Sequence, residues 1–86
     1  MSKSAKILAS VLGRQTDANI RFDDLVYLLG KLDFAKRIRG DHHVFTRAGV
    51  EEIINLQPRG ALAKPYQVKQ VRDIILRYRL GVDNYE

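Results

Sequence analysis

The residues best suited to chemistry in this chain are Asp41-His42-His43, its one concentration of titratable groups in a basic setting. An imidazole exchanges a proton near neutrality, its unperturbed pKa being about 6.5. Placed beside a ribose, a neutral imidazole can remove the 2′-hydroxyl proton. That oxygen then attacks the adjacent phosphate while Arg or Lys stabilises the charge that develops. Neighbours on a strand point to opposite faces, so at most one of the two histidines serves as the base. Parity along one continuous strand groups His42 with Ile38 and Val44, and His43 with Phe45, and leaves the choice open. A strand histidine is also more often structural or merely exposed than catalytic.

Other chemistries find less support. The chain has no cysteine, which excludes disulfides, thiolate nucleophiles and cysteine-based metal sites. Two adjacent histidines and Asp41 lack the spacing that surrounds one ion with three ligands, so no metal site is expected. Ser2, Ser4 and Ser10 all lie near the N-terminus, far from His42 in sequence, which argues against a serine triad. Gly60 stands alone between Arg59 and Ala61, so there is no phosphate-cradling glycine loop and no small-molecule cofactor is expected.

Charge points to a polyanionic partner. The net charge is +5. Between Pro58 and Gly81, Arg59, Lys64, Lys69, Arg72, Arg77 and Arg79 face Asp73 alone, and a second run of Lys36, Arg37, Arg39 and Arg47 surrounds the histidines. Such a surface attracts nucleic acid through phosphate contacts and counterion release. A charged face that only keeps a small protein soluble is the plainer alternative. For Tyr66 the alternatives are packing at a helix entry and stacking on a base.

The elements that must position these groups follow from the pattern. A first helix is expected over about Ser4 to Leu12, with Leu8, Val11 and Leu12 on one face and Gly13 as a left-handed cap. Arg14 to Asn19 reads as a linker. A second helix, about Asp24 to Leu32, takes Asp23 as N-cap and buries Leu25, Val26, Leu28, Leu29 and Leu32, with Asp33 left-handed at its exit. Lys36 to Thr46 and Glu51 to Gln57 read as a β-hairpin around Arg47-Ala48-Gly49-Val50, with Gly40 marking a bulge or a close backbone approach. Pro65 opens a last helix, about Tyr66 to Leu80, whose stripe is Val68, Val71, Ile74, Ile75 and Tyr78. Lys69, Asp73 and Arg77 form a solvated ladder on its other side.

Eighty-six residues make one small domain, 1–86, with residues 1–19 as an N-terminal helix and linker and 20–81 as the core. A chain of this size leaves room only for a shallow site. No run is long enough to span a bilayer and no export signal is seen, so the cytoplasm and no membrane partner are expected.

Leu32-Asp33-Phe34-Ala35-Lys36-Arg37-Ile38-Arg39-Gly40-Asp41-His42-His43-Val44-Phe45 resembles the signature of the HicA (YcfA-like) toxin family, in which a Leu-Gly-Phe helix exit leads to a basic strand and Gly-Ser-His. The resemblance continues through Ile54-Asn55-Leu56-Gln57-Pro58, Lys64-Pro65 and the last helix, and covers about Phe22 to Leu80. It implies an mRNA-cleaving endoribonuclease, held inactive by a HicB-type antitoxin, on an α+β fold like a double-stranded-RNA-binding domain. The expected order is α-α-β-β-(β)-α, with the third strand supplied by Ala18 to Phe22 or Ala61 to Ala63. The family's catalytic histidine falls on His42, and Arg37, Arg39, Arg59 and Lys64 become candidate RNA phosphate contacts. Three departures stand out: Asp41 where the family has serine, Asp33 where it has glycine, and a helix before Gly13 that extends beyond the compact family core. A carboxylate beside the base can orient it or raise its pKa but repels phosphate, so a non-catalytic module binding RNA or the antitoxin is the alternative reading.

Overall fold

The computed structural model describes residues 2–82. Its elements are α1 (Lys3–Leu12), a 3₁₀ turn (Asp17–Asn19), α2 (Phe22–Lys31), β1 (Ala35–Arg39), β2 (His42–Arg47), β3 (Val50–Leu56) and α3 (Pro65–Tyr78). The strands form one antiparallel sheet in the order β1-β2-β3. This is the α+β arrangement, α-α-β-β-β-α, that the resemblance implied. Among the described residues no helix is long and apolar enough to cross a membrane.

The expected strand from Lys36 to Thr46 is two strands. Gly40 and Asp41 form a two-residue reversal, and Arg39 faces His42 across it. Gly40 has φ +61°, while Asp41 keeps negative φ. Positive φ at the first central position alone is the type II′ geometry, whose twist matches that of the flanking strands. Gly40 therefore makes a turn and not a bulge, and it supplies the third strand. Ala18 to Phe22 and Ala61 to Ala63 instead meet each other: Phe22 N donates to Ala61 O at 3.0 Å and Ala63 N to Ile20 O at 2.9 Å. This short bridge ties the entrance of α2 to the loop before α3.

The helices cover one side of the sheet. Leu25, Leu28 and Leu29 of α2, Val68 and Val71 of α3, Ile54 and Leu56 of β3 and Phe45 of β2 are all essentially inaccessible to solvent. Each such side chain stabilises the fold by about 1.5–3 kcal/mol relative to exposure. Helix α2 begins two residues earlier than expected, at Phe22, with Arg21 in place of Asp23 as N-cap. Asp23 and Asp24 then sit in its first turn, where acidic groups complement the helix dipole. Asp33 is left-handed, with φ +69°, as the sequence suggested.

Helix α1 differs in its buried face, which is Ser4, Ala5, Ile7 and Val11, while Leu12 lies exposed. Ser2 caps it, Oγ accepting from Ala5 N at 3.1 Å. Gly13 remains right-handed because its N–H still bonds Ala9 O at 2.9 Å; Arg14 takes the left-handed conformation instead. Ile7 and Val11 join the same core as the later elements. Arg72 of α3 completes the join: Nη1 donates to both Asp17 carboxylate oxygens, at 2.9 and 3.0 Å, and to Val11 O at 3.3 Å. That last contact satisfies one of the carbonyls that a helix end leaves without an intrahelical donor.

Helix α3 starts on Pro65 and ends in left-handed Arg79. Gln67, almost fully buried, folds back so that its Oε1 accepts from Lys64 N at 3.3 Å. Arg77 leaves the expected ladder with Lys69 and Asp73 and pairs with Glu52 of β3 at 3.3 Å.

Candidate nucleic-acid interface

Alternation along β2 divides the two histidines. Phe45 points into the core, so His43 shares the helix-covered side and His42, Val44 and Thr46 share the open side. His43 meets the Phe22 ring edge-on, with centroids 4.9 Å apart and planes at 72°. Its Nδ1 is buried without a hydrogen-bond partner. His43 is a packing residue. The grouping of His42 with Ile38 fails because the chain reverses at Gly40: Ile38 lies opposite His43.

The register assembles a basic, helix-free surface around His42. Arg39 lies opposite His42 and Arg37 opposite Val44, so both share its side of the sheet. On β3, Ile54 and Leu56 are in the core, which leaves Ile53 and Asn55 on the open side. A shallow hollow of about 310 Å³, lined by Ala35, Lys36, Arg37, Val44 and Thr46, adjoins this surface.

His42 stands in a short polar network. Its Nδ1 is 3.1 Å from Asn55 Oδ1, and its Nε2 is 3.7 Å from Asp41 Oδ1. Gln57 Nε2 donates to the other Asp41 oxygen, Oδ2, at 2.8 Å. The His42 and Asp41 side chains remain 49% and 64% exposed, enough for a substrate to reach either. The Asp41 carboxyl is held below its ordinary range, first by the Gln57 hydrogen bond and then by its own backbone amide. Slight desolvation works against these effects, and the charges of His42 and Lys64 assist them. Asp41 is thus an anion at neutral pH, beside the nitrogen that would have to accept a proton.

The sequence-derived candidates separate into groups. His42, Arg37 and Arg39 come together on the open face. Lys64, the residue before α3, is close enough to act electrostatically on Asp41. Arg59 is exposed in the β3–α3 loop, its backbone doubly bonded to Leu62. Among the described residues, none of these four cations forms an ion pair.

Other basic residues drop out of the surface. Arg72, only 5% exposed, is committed to Asp17, and Arg77 to Glu52. Arg47 lies at the far end of β2 on the helix side, its Nε buried. Tyr66 is 65% exposed, so it does not pack into the fold at the helix entry.

Asn55 and Gln57 were not singled out from the sequence. Their signal is two amides at i and i+2 flanking apolar Leu56, at the end and just past the end of the strand beside His42. Among the described residues no three His, Asp or Glu side chains converge as metal ligands. Compared with known proteins, the chain matches no family model, no curated protein and no solved structure.

Proposed function

We propose that this chain is an RNA-cleaving toxin of the HicA type, acting without a metal, with His42 as general base and an acidic HicB-type antitoxin as its partner. The observation that carries this reading is the open sheet face on which exposed His42 stands beside Arg37 and Arg39, none of them engaged in the core. The residue resemblance around Gly40-Asp41-His42 adds the choice of RNA as substrate.

The chemistry needs few parts. His42 takes the 2′-hydroxyl proton, and the 2′ oxygen forms a bond to phosphorus. The bond from phosphorus to the 5′ oxygen breaks, giving a 2′,3′-cyclic phosphate and a 5′-hydroxyl end. The departing oxygen takes a proton from water, and the imidazolium returns its own to solvent. Arg37 and Arg39 offer positive charge to the phosphate as its negative charge grows. The same basic face, covered by an acidic partner, could not receive RNA.

One observation favours a second reading. The Asp41 carboxylate, 3.7 Å from His42 Nε2, opposes an approaching phosphate. A non-catalytic module that binds RNA or antitoxin through the surrounding arginines would tolerate it.

Purified protein incubated with mRNA and a chelator separates the two. Cleavage by the wild type and by His43→Ala, lost in His42→Ala, is the expected result, and His42→Ala should also relieve growth arrest. Salt-sensitive RNA binding without any cleavage by the wild type would establish the non-catalytic module.

A further inference from the structure

We infer that Asn55 determines which nitrogen of His42 is reactive, by holding the imidazole in the tautomer that leaves the lone pair on Nε2. The inference rests on the reading of His42 as a base and adds a positioning residue to it. Asn55 lies opposite Val44 in the register of β2 and β3, which makes it a diagonal neighbour of His42 on the open face. The atom it presents to the ring is Oδ1, at 3.1 Å from Nδ1. A carbonyl oxygen can only accept, so the proton between them belongs to Nδ1. A neutral imidazole carries one proton, and Nε2 is left as the acceptor.

This matters because a free histidine in water favours the opposite tautomer, with its proton on Nε2. Left alone, His42 would more often present an N–H where a base is needed. The contact also fixes ring orientation, since rotating the imidazole by half a turn would bring a carbon to Asn55 Oδ1. Nε2 is then aimed to the side where Asp41 stands. Gln57, two residues along from Asn55, holds the far oxygen of Asp41 at 2.8 Å. The two amides of β3 and its exit thus order the two polar groups of the hairpin, and neither needs to touch RNA to do so.

The test reads the tautomer directly. Long-range ¹H–¹⁵N correlation spectra of the full chain, recorded at about pH 8.5 where imidazole is neutral, distinguish the two nitrogens of each histidine. The wild type is expected to show His42 protonated on Nδ1, Asn55→Ala to shift it towards Nε2, and Asn55→Asp, which retains an acceptor oxygen, to restore the Nδ1 form. In RNA cleavage, Asn55→Ala should lower kcat while KM stays within about twofold. Its loss should not exceed the roughly 10²- to 10⁴-fold contribution of a positioned acid–base group.

Wild-type His42 protonated on Nε2, or a tautomer unmoved by Asn55→Ala, would overturn the inference. So would a tautomer shift that leaves kcat unchanged. If the wild type cleaves no RNA, the ribonuclease reading fails by itself, and the spectra still decide whether Asn55 sets the tautomer.

Discussion

Asp41 Oδ1 stands 3.7 Å from His42 Nε2, placing an anion on the nitrogen that faces away from Asn55. Removing it should help RNA approach. Asp41→Ser is expected to bind RNA more tightly and to cleave it faster than the wild type, with the gain shrinking at high salt as screening weakens the lost repulsion. Asp41→Asn should give most of the gain, because charge and not shape is responsible. Filter binding at two ionic strengths checks this; equal affinity in all three proteins would show that Asp41 does not oppose the phosphate.

Phosphate contacts have a quantitative signature. Each side chain that neutralises a phosphate contributes about 0.7 to the slope of log affinity against log salt for single strands. Arg37→Ala and Arg39→Ala should each lower the slope by roughly that amount, and Lys69→Ala, on the exposed side of α3, should leave it unchanged. An unaltered slope in both arginine variants would remove the open face as the RNA surface.

His43 should matter for folding and not for chemistry. Its edge contact with Phe22 is worth about 0.5–1.5 kcal/mol beyond the area that it buries. His43→Ala should accordingly lose about 1–2 kcal/mol in denaturant unfolding. His43→Phe should retain or raise stability, because it keeps an aromatic ring and removes a buried nitrogen that has no partner.

Breaking the Arg72–Asp17 pair from the Arg72 side should cost more. Arg72→Met leaves Asp17 without its guanidinium and Val11 O without a donor, for an expected loss of about 3 kcal/mol, the lower end for a buried pair since Asp17 is partly exposed. Thermal melting with a probe in α1 should show that helix loosening first.

The Tyr78–Glu52 bond gives a pH test with two limits. Tyr78 OH donates to Glu52 Oε1 at 2.6 Å. This bond holds the Glu52 carboxyl below its ordinary range and pushes the Tyr78 phenol up. A depressed carboxyl pKa stabilises the fold above the unfolded value, and the benefit is lost as pH falls through the folded one. A raised phenol pKa stabilises it below the unfolded value, and the benefit is lost as pH rises through the folded one. The stability difference between wild type and Tyr78→Phe should therefore be greatest near neutrality and shrink below about pH 4 and above about pH 10. A difference that does not vary with pH would mean that packing of the ring, and not the bond, holds this corner.

Periodicity made the three helices legible, and the apolar faces of α2 and α3 but not that of α1, while the left-handed exit at Asp33 followed from residue type. The third strand was missed although its signal was present. Gly followed by Asp between two alternating runs is a hairpin turn, and treating Gly40 as a bulge merged two strands and scrambled parity around His42. The boundary of α2 could not be read locally, because Phe22 N finds its partner in Ala61, thirty-nine positions along the chain. The burial of Arg72 was hidden for a similar reason: Asp17 and α1 decide it, and neither is near in sequence. Asn55 had only the weak signal of an amide beside apolar Leu56, since a polar residue in a strand becomes a partner of His42 only once the register of two strands is known.

The division of the sheet into a covered and an open side also bears on how such a chain can change. His42, Arg37, Arg39 and Asn55 lie on the side that contributes nothing to the hydrophobic core, whereas His43, Phe45, Ile54 and Leu56 alternate with open-side positions on β2 and β3. Substitutions at the first set can change the charge and chemistry of the open face at little cost to folding. A domain this small can thus vary its open surface on alternate residues while the intervening ones preserve its architecture.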